Sequence, residues 1–309
     1  MFYIGTSGYT YDFWGPSKKY PNEISNFYPR NMPTSKWLEH YSSHLNSVEI
    51  NCTRYRSLKP EMCARWVKQV PDHFGFTIKV GLYFTHAKKL NDPEEWWDEM
   101  APCIEALGTK FTSLLFQFHP SFRCTPQNIA KLYRVQEIVP PHIDCAIEFR
   151  DMSWYTDDQT KKLFTRRNWC LVELHVPEVR GQNENFGDLP GGFHGISNND
   201  RFRYLRFHGT RGYSCGTYDY PLLSPIVDQV RSSSVEKVCI YFNNTDTWEF
   251  LPESYRGKHH LFHGTFSFIL RKSHIIPSAL FDALCVKQRL IEKSCAYDEE
   301  GFRVLQVNH

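Results

Sequence analysis

The 309-residue chain has no apolar run approaching the ~18–20 residues that cross a bilayer, which excludes a membrane-spanning helix and a membrane partner. Its ten cysteines include no C-x-x-C pair. That absence excludes the close-spaced ligand pairs of a structural zinc site and argues against a disulfide framework. Cys145, Cys170 and Cys239 fall inside apolar runs, where a free thiol serves as a small hydrophobe. Reduced thiols and a cytoplasmic location are the expectation. An excess of one charge is also missing: 36 Lys and Arg stand against 34 Asp and Glu, a formal charge of +2. This is not a polycation that coats nucleic acid, so any anion binding must come from a local patch. The opening MFYIGTSGYT has neither a basic segment nor a small-residue cleavage site and reads as a mature N-terminus. Gly5 and Gly8 follow the first apolar run without a third glycine in register, which argues against a dinucleotide-binding turn.

What is present is ample core material, 41% hydrophobic and 16% aromatic, arranged as an alternation. Short strand-like runs occur at 3–6, 47–51, 74–79, 112–117, 144–149, 169–174, 203–208 and 237–243. Between them stand helix signals. Thr34 and Ser35 precede a Trp37, Leu38, Tyr41, Leu45 stripe, and Pro60 and Pro93 each open an amphipathic segment. Thr125-Pro126 opens another, and Thr156 with Gln159 reads as a capping box. Strands separated by helices imply parallel pairing with right-handed crossovers. Eight such units predict a closed parallel (β/α)8 TIM barrel as one α/β domain, with a core over 1–245. Residues 246–309 are expected to form an irregular loop and a C-terminal helix over 278–291 packed on that barrel. The Gly- and Asn-rich stretch 180–200 reads as a long loop where a helix is due.

In a barrel, side chains alternate between lumen and helix layer, and the active site lies at the C-terminal rim of the strands. Applied strand by strand, the alternation sends Glu49, Lys79, Gln117, Glu148, Glu173, Arg206 and Tyr241 to the lumen. Asn51, Arg150, His175, His208 and Asn243 follow at the rim. Unpaired buried ions are costly, so these charges are expected to pair with each other or with a ligand. A frayed strand end would leave one polar residue of random phase; seven strands of equal phase point to a ligand site.

The same residues carry ordered motifs: I-G-T-S-G-Y at 4–9, V-E-I-N-x-T-x-Y-R at 48–56, F-T-I-K at 76–79 and Thr85-His86. L-L-F-Q at 114–117, E-F-R-x-x-S-W at 148–154, L-R-F-H-G at 205–209 and Y-F-N-N at 241–244 follow. Together they resemble the YecE-like family, domain of unknown function 72, over roughly residues 1–245. The resemblance implies a TIM barrel and no established reaction. Its distant similarity to the xylose-isomerase and endonuclease IV barrels implies sugar or phosphodiester chemistry by analogy alone. The chain departs from the family pattern after Asn244 and within 180–200, both next to the expected rim.

The leading expectation is a pocket enzyme acting on an anionic, phosphate- or nucleotide-bearing substrate. Glu148 and Glu49 are its candidate acid/base pair, with His208 as a third catalytic group. Lys79, Arg150, Arg206, Asn51, Tyr55, Arg56, His86, Gln117, Trp154, Asn243 and Asn244 are the candidate substrate-binding residues. Two facing carboxylates about 5–10 Å apart also admit glycosidase chemistry. His86, Glu148, Glu173, His175 and His208 are candidates for a hydrolytic metal, yet no H-x-H or H-E-x-x-H spacing supports one. No cofactor is therefore assigned. The competing reading is a non-catalytic barrel that binds a small anionic ligand or nucleic acid. It draws on Tyr9, Tyr11, Phe13 and Trp14 and on Arg54-Tyr55-Arg56.

Overall fold

The computed structural model describes residues 1–16, 27–51, 58–165, 167, 169–177, 186–195, 201–212, 214–245, 248–250 and 275–291. The strands are β1 (Phe2–Thr6), β2 (Ser47–Ile50), β3 (Gly75–Lys79), β4 (Phe111–Gln117), β5 (Cys145–Glu148) and β6 (Trp169–Leu171). They continue as β7 (Glu173–Val176), β8 (Gly192–His194), β9 (Phe202–Phe207), β10 (Lys237–Phe242), β11 (Trp248–Phe250) and β12 (Ile275–Pro277). The helices are α1 (Trp37–Ser42), α2 (Pro60–Val67), α3 (Pro93–Leu107), α4 (Pro126–Ile138), α5 (Ser153–Thr156), α6 (Asp158–Thr165), α7 (Asp219–Ser232) and α8 (Ser278–Leu290). Their starts follow from local chemistry. Pro60, Pro93 and Pro126 occupy first-turn positions, where a missing N–H costs nothing. The Thr125 hydroxyl accepts the Asn128 N–H at 3.3 Å and caps α4.

All the expected strands form, but their pairings make two five-stranded sheets rather than one closed ring. One is fully parallel in the order β2-β3-β4-β5-β6. The other runs β1-β10-β9-β7-β8, parallel except for the antiparallel β8. Only Val172 separates β6 from β7, and its N–H donates to Ile147 O at 2.9 Å as the chain passes from one sheet to the other. On the far side, β1 meets β2 through an isolated parallel bridge, Ser7 to Glu49, with the Gly8 N–H donating to Glu49 O at 2.8 Å. Gly5 is needed at that junction. A Cβ there would lie 1.9 Å from Ser47 O, so the glycine serves strand approach and not a phosphate turn.

One face of both sheets, carrying Leu115, Ala146, Cys170, Leu174, Tyr204 and Tyr241, converges on a shared interior. The opposite faces, with residues such as Val48, Phe76, Leu114, Ile147, Leu205 and Ile240, pack in the larger cluster under the helices. Cys145, Cys170 and Cys239 are fully buried and free, and burial pushes their thiols up, Cys239 to about 12. No helix among the described residues is long and apolar enough to cross a membrane.

Two expectations change in detail, and one helix was not foreseen. Residues 186–195 of the stretch read as a loop carry β8, which pairs with β7, so part of it extends the sheet. Helix α7 went unread because Pro221 and Pro225 look like breakers; Pro225 lies inside the helix. Thr156 ends α5, where its hydroxyl donates back to Met152 O, and α6 begins at Asp158. The C-terminal helix forms as expected. On α8, Asp282 accepts the Tyr218 N–H and the Asn244 amide, and Lys287 donates to His44 O.

Candidate functional site

Four strands, β2, β3, β5 and β9, bring charge to one layer at their C-terminal ends, and β4 adds Gln117. Arg206 on β9 is fully buried and lies between the two carboxylates. Its Nη2 donates to Glu49 Oε1 at 2.8 Å and to Ser7 Oγ at 3.2 Å. Its Nη1 donates to Glu148 Oε2 and, at 3.2 Å, to Gln117 Oε1. Arg150 follows β5 and clasps the other Glu148 oxygen through Nε at 2.8 Å and Nη2 at 2.7 Å. Glu49 is completed by the Ser7 hydroxyl and by Tyr204 OH at 2.7 Å. Lys79 at the end of β3 donates to Gln117 Oε1 at 2.8 Å, so the ammonium and the Arg206 guanidinium share one acceptor.

Two carboxylates thus face two guanidiniums, and Lys79 is the fifth charge. Burial alone would raise the Glu148 carboxyl, but Arg206 and Arg150 hold it well below the usual carboxylate range. Burial opposes the charge on Arg206, yet Glu148 and Glu49 secure its proton beyond the ordinary guanidinium value. Lys79 goes the other way: burial first, then Arg206, push it down to about 7. His208 is fully buried, and burial with Arg206 beside it keeps the imidazole neutral at pH 7. The Asn243 amide donates to His208 Nδ1 at 2.9 Å, which assigns the proton to Nε2. Phe186 lies under this rim, 4.5 Å from the Arg150 guanidinium carbon and 4.9 Å from the His208 ring.

The layer therefore joins Glu49, Lys79, Gln117, Glu148, Arg150, Arg206, His208 and Asn243, as the strand alternation predicts. Asn51 joins through Ser7, its amide donating to Ser7 Oγ at 2.7 Å. Several expected roles change. Glu148 and Glu49 are fully buried with their oxygens committed to guanidinium and hydroxyl donors, so neither is poised to exchange a proton with a substrate. Arg206 is equally buried, with both terminal nitrogens engaged by Glu49, Ser7, Glu148 and Gln117, while its Nε has no hydrogen-bond partner among the described residues. Glu173 turns away from the interior, because Cys170, Val172, Leu174 and Val176 hold the inner phase; it takes Arg203 bidentately at 2.7 and 2.6 Å. His175 shares that outer phase and meets Tyr218 OH at 2.6 Å.

Asn244 also points outward, its amide spent on Gly216 O and Asp282, where it anchors α8. Trp154 is buried in a stack with Phe149, centroids 4.0 Å apart, and its indole N–H donates to Phe122 O; it is a packing residue. His86 contacts Thr85 Oγ1 at 2.9 Å and sits 5.6 Å from the His119 ring, beside β3. Trp14 is buried against Tyr28, so it offers no face to a nucleic-acid base. Tyr55 and Arg56, with Arg54, lie outside the described residues. No group of three or more His, Cys, Asp or Glu among the described residues is placed to hold a metal. Sequence reasoning missed Ser7, Tyr204 and Phe186. The first two have the inner phase of their strands and were legible by the same alternation.

A family model described as "Protein of unknown function DUF72" matches residues 3–258. A curated relative, UPF0759 protein YunF of Bacillus subtilis (strain 168), is 28% identical over 218 residues, 68% of this chain and 70% of that protein. UPF0759 protein YecE of Escherichia coli (strain K12) is 25% identical over 129 residues, 42% of this chain, and the match spans 47% of YecE. Among solved structures, a DUF72 family protein from Thermotoga maritima MSB8 superposes with a TM-score of 0.67 at 24% identity, covering 94% of this chain and 99% of that one. One from Enterococcus faecalis V583 gives 0.66 at 21%, covering 100% of both chains. These likenesses give the fold, and the family match spans most of the sequence that supplies the charged layer: the chain belongs to the DUF72 family.

Proposed function

We propose that the two sheets form one eight-stranded barrel whose C-terminal rim binds a small, phosphate-bearing anion, with Lys79 as its contact cation. The reading of a barrel rests on the strand order β2-β3-β4-β5-β6, the passage through Val172 into β7-β9-β10-β1, with β6 and β7 counted as one strand broken at Val172, and the Ser7–Glu49 bridge back to β2. α8 contributes a helix following the last barrel strand. The observation that carries the ligand is the charge inventory of the layer. Three cations, Lys79, Arg150 and Arg206, stand with two carboxylates, Glu49 and Glu148, so the layer carries a net positive charge, and Lys79 is its partly exposed charged member. Asn51, Gln117, Asn243 and the neutral His208 surround it with hydrogen-bonding groups suited to hydroxyls or phosphate oxygens. None of the eight described cysteines is in a disulfide, in keeping with a cytoplasmic site of action.

The expected result is a thermal shift. Inorganic phosphate at about ten times its dissociation constant stabilises by roughly 1.4 kcal/mol, which raises Tm by about 2–4 °C in a chain of this size. Lys79→Gln removes that rise while folding normally. An equal shift in Lys79→Gln, or none in the wild type, refutes the site.

A further inference from the structure

The charged layer does more than collect a surplus cation, because of how Lys79 is held. Its Nζ and the Arg206 Nη1 converge on the same oxygen, Gln117 Oε1, at 2.8 and 3.2 Å. Arg206 cannot yield its charge, since Glu49 and Glu148 both grip it. Burial first, and then the repulsion of Arg206 across the shared acceptor, favour loss of the lysine's proton against the pull of Glu49 and Glu148. A neutral amine still donates an N–H to Gln117 and carries a nucleophilic lone pair. The lysine is partly exposed whereas Glu49, Glu148, Arg206 and Arg150 are buried, so it is the member of the layer that a ligand reaches. The neutral amine predominates above pH 7, consistent with a value of about 7.

We propose that Lys79 is a nucleophile that forms an imine with an aldehyde or ketone that also bears an anionic group. The Nζ lone pair attacks the carbonyl carbon to form the C–N bond. Two N–H protons pass to the carbonyl oxygen, and the C–O bond breaks to release one water, so no oxidant or reductant is consumed. A protonated imine keeps a positive charge at the Lys79 position, so the anionic group retains its electrostatic partner. This deepens the anion-binding reading by naming a substrate class for the same rim, and the two fail separately in the test below.

The probes are pyridoxal 5′-phosphate as an anionic aldehyde and benzaldehyde as a neutral one, each at pH 7.5 with sodium cyanoborohydride to fix the imine. Peptide mass mapping of the full wild-type chain compares Lys79 with Lys161, whose side chain is 82% exposed in a surface pair with Asp158. An ordinary lysine is almost wholly protonated at this pH, so Lys79 is expected to be trapped at least about tenfold faster than Lys161. Faster trapping by the phosphorylated aldehyde than by benzaldehyde supports both the imine and the anion site. Equal, fast trapping by both aldehydes supports the imine and overturns the anion preference. Trapping of Lys79 no faster than Lys161 with either probe overturns the imine, whatever phosphate does to Tm.

Discussion

Arg206→Met is expected to lower folding stability by about 3–5 kcal/mol, the cost of leaving buried charges uncompensated. The substitution keeps much of the side-chain volume but strands Glu49 and Glu148 in an interior where both are fully buried. Arg150 still serves Glu148, and Ser7 and Tyr204 still serve Glu49, so collapse is not expected. The double variant Arg206→Met/Glu49→Gln removes one stranded charge and is therefore more stable than Arg206→Met alone. Chemical denaturation of the three proteins checks this. A single-variant loss under about 1 kcal/mol, the level of an exposed ion pair, means that water reaches the layer and that it is not a sealed network.

Trp154→Ala is expected to cost a similar amount, about 3–5 kcal/mol, for a different reason. The indole fills the space beside Phe149 and Phe122 under the helix layer, and nothing polar replaces its N–H bond to Phe122 O. If Trp154 is packing alone, the variant melts at a lower temperature but keeps the full phosphate-dependent rise in Tm. Loss of that rise in a folded Trp154→Ala protein returns the residue to the binding site.

Much of this arrangement was legible in the alternation of the strands, and the misses have physical causes. The inner phase of Glu49, Lys79, Gln117, Glu148 and Arg206 follows because each is flanked by apolar residues that belong under helices. The segment Trp169–Val176 defeats the same reasoning. Both of its phases contain residues that suit an interior, and the choice was decided by a partner far along the chain. Arg203 and Arg206 lie on opposite faces of β9; the first takes Glu173 outward, and the second takes Glu49 and Glu148 inward. Asn244 illustrates a second limit. Its motif neighbour Asn243 reaches His208, but one residue further the strand phase flips, and Asn244 meets Asp282 on α8. Motif membership marks both residues without saying which faces the ligand. What no local pattern gives is commitment: the donors that close on Glu148 come together only when β5 and β9 face each other across the interior.

The proposed role of Lys79 as the titrating contact cation of the rim gives its pH dependence a fixed sign. Because Lys79 falls from its ordinary 10.5 to about 7 in the folded chain, the unfolded chain holds more protons between those values. Stability in the absence of anion therefore rises with pH through that window. Anion binding has the opposite trend, since it needs the protonated ammonium. The most direct measurement is sulfate affinity by calorimetry from pH 5.5 to 9, sulfate being an anion whose own charge is constant across the range. The account predicts affinity that falls as pH rises through about 7 in the wild type, stays level in Lys79→Arg, and is lost in Lys79→Gln. Sulfate affinity in the wild type that is independent of pH, or that survives in Lys79→Gln, would contradict it.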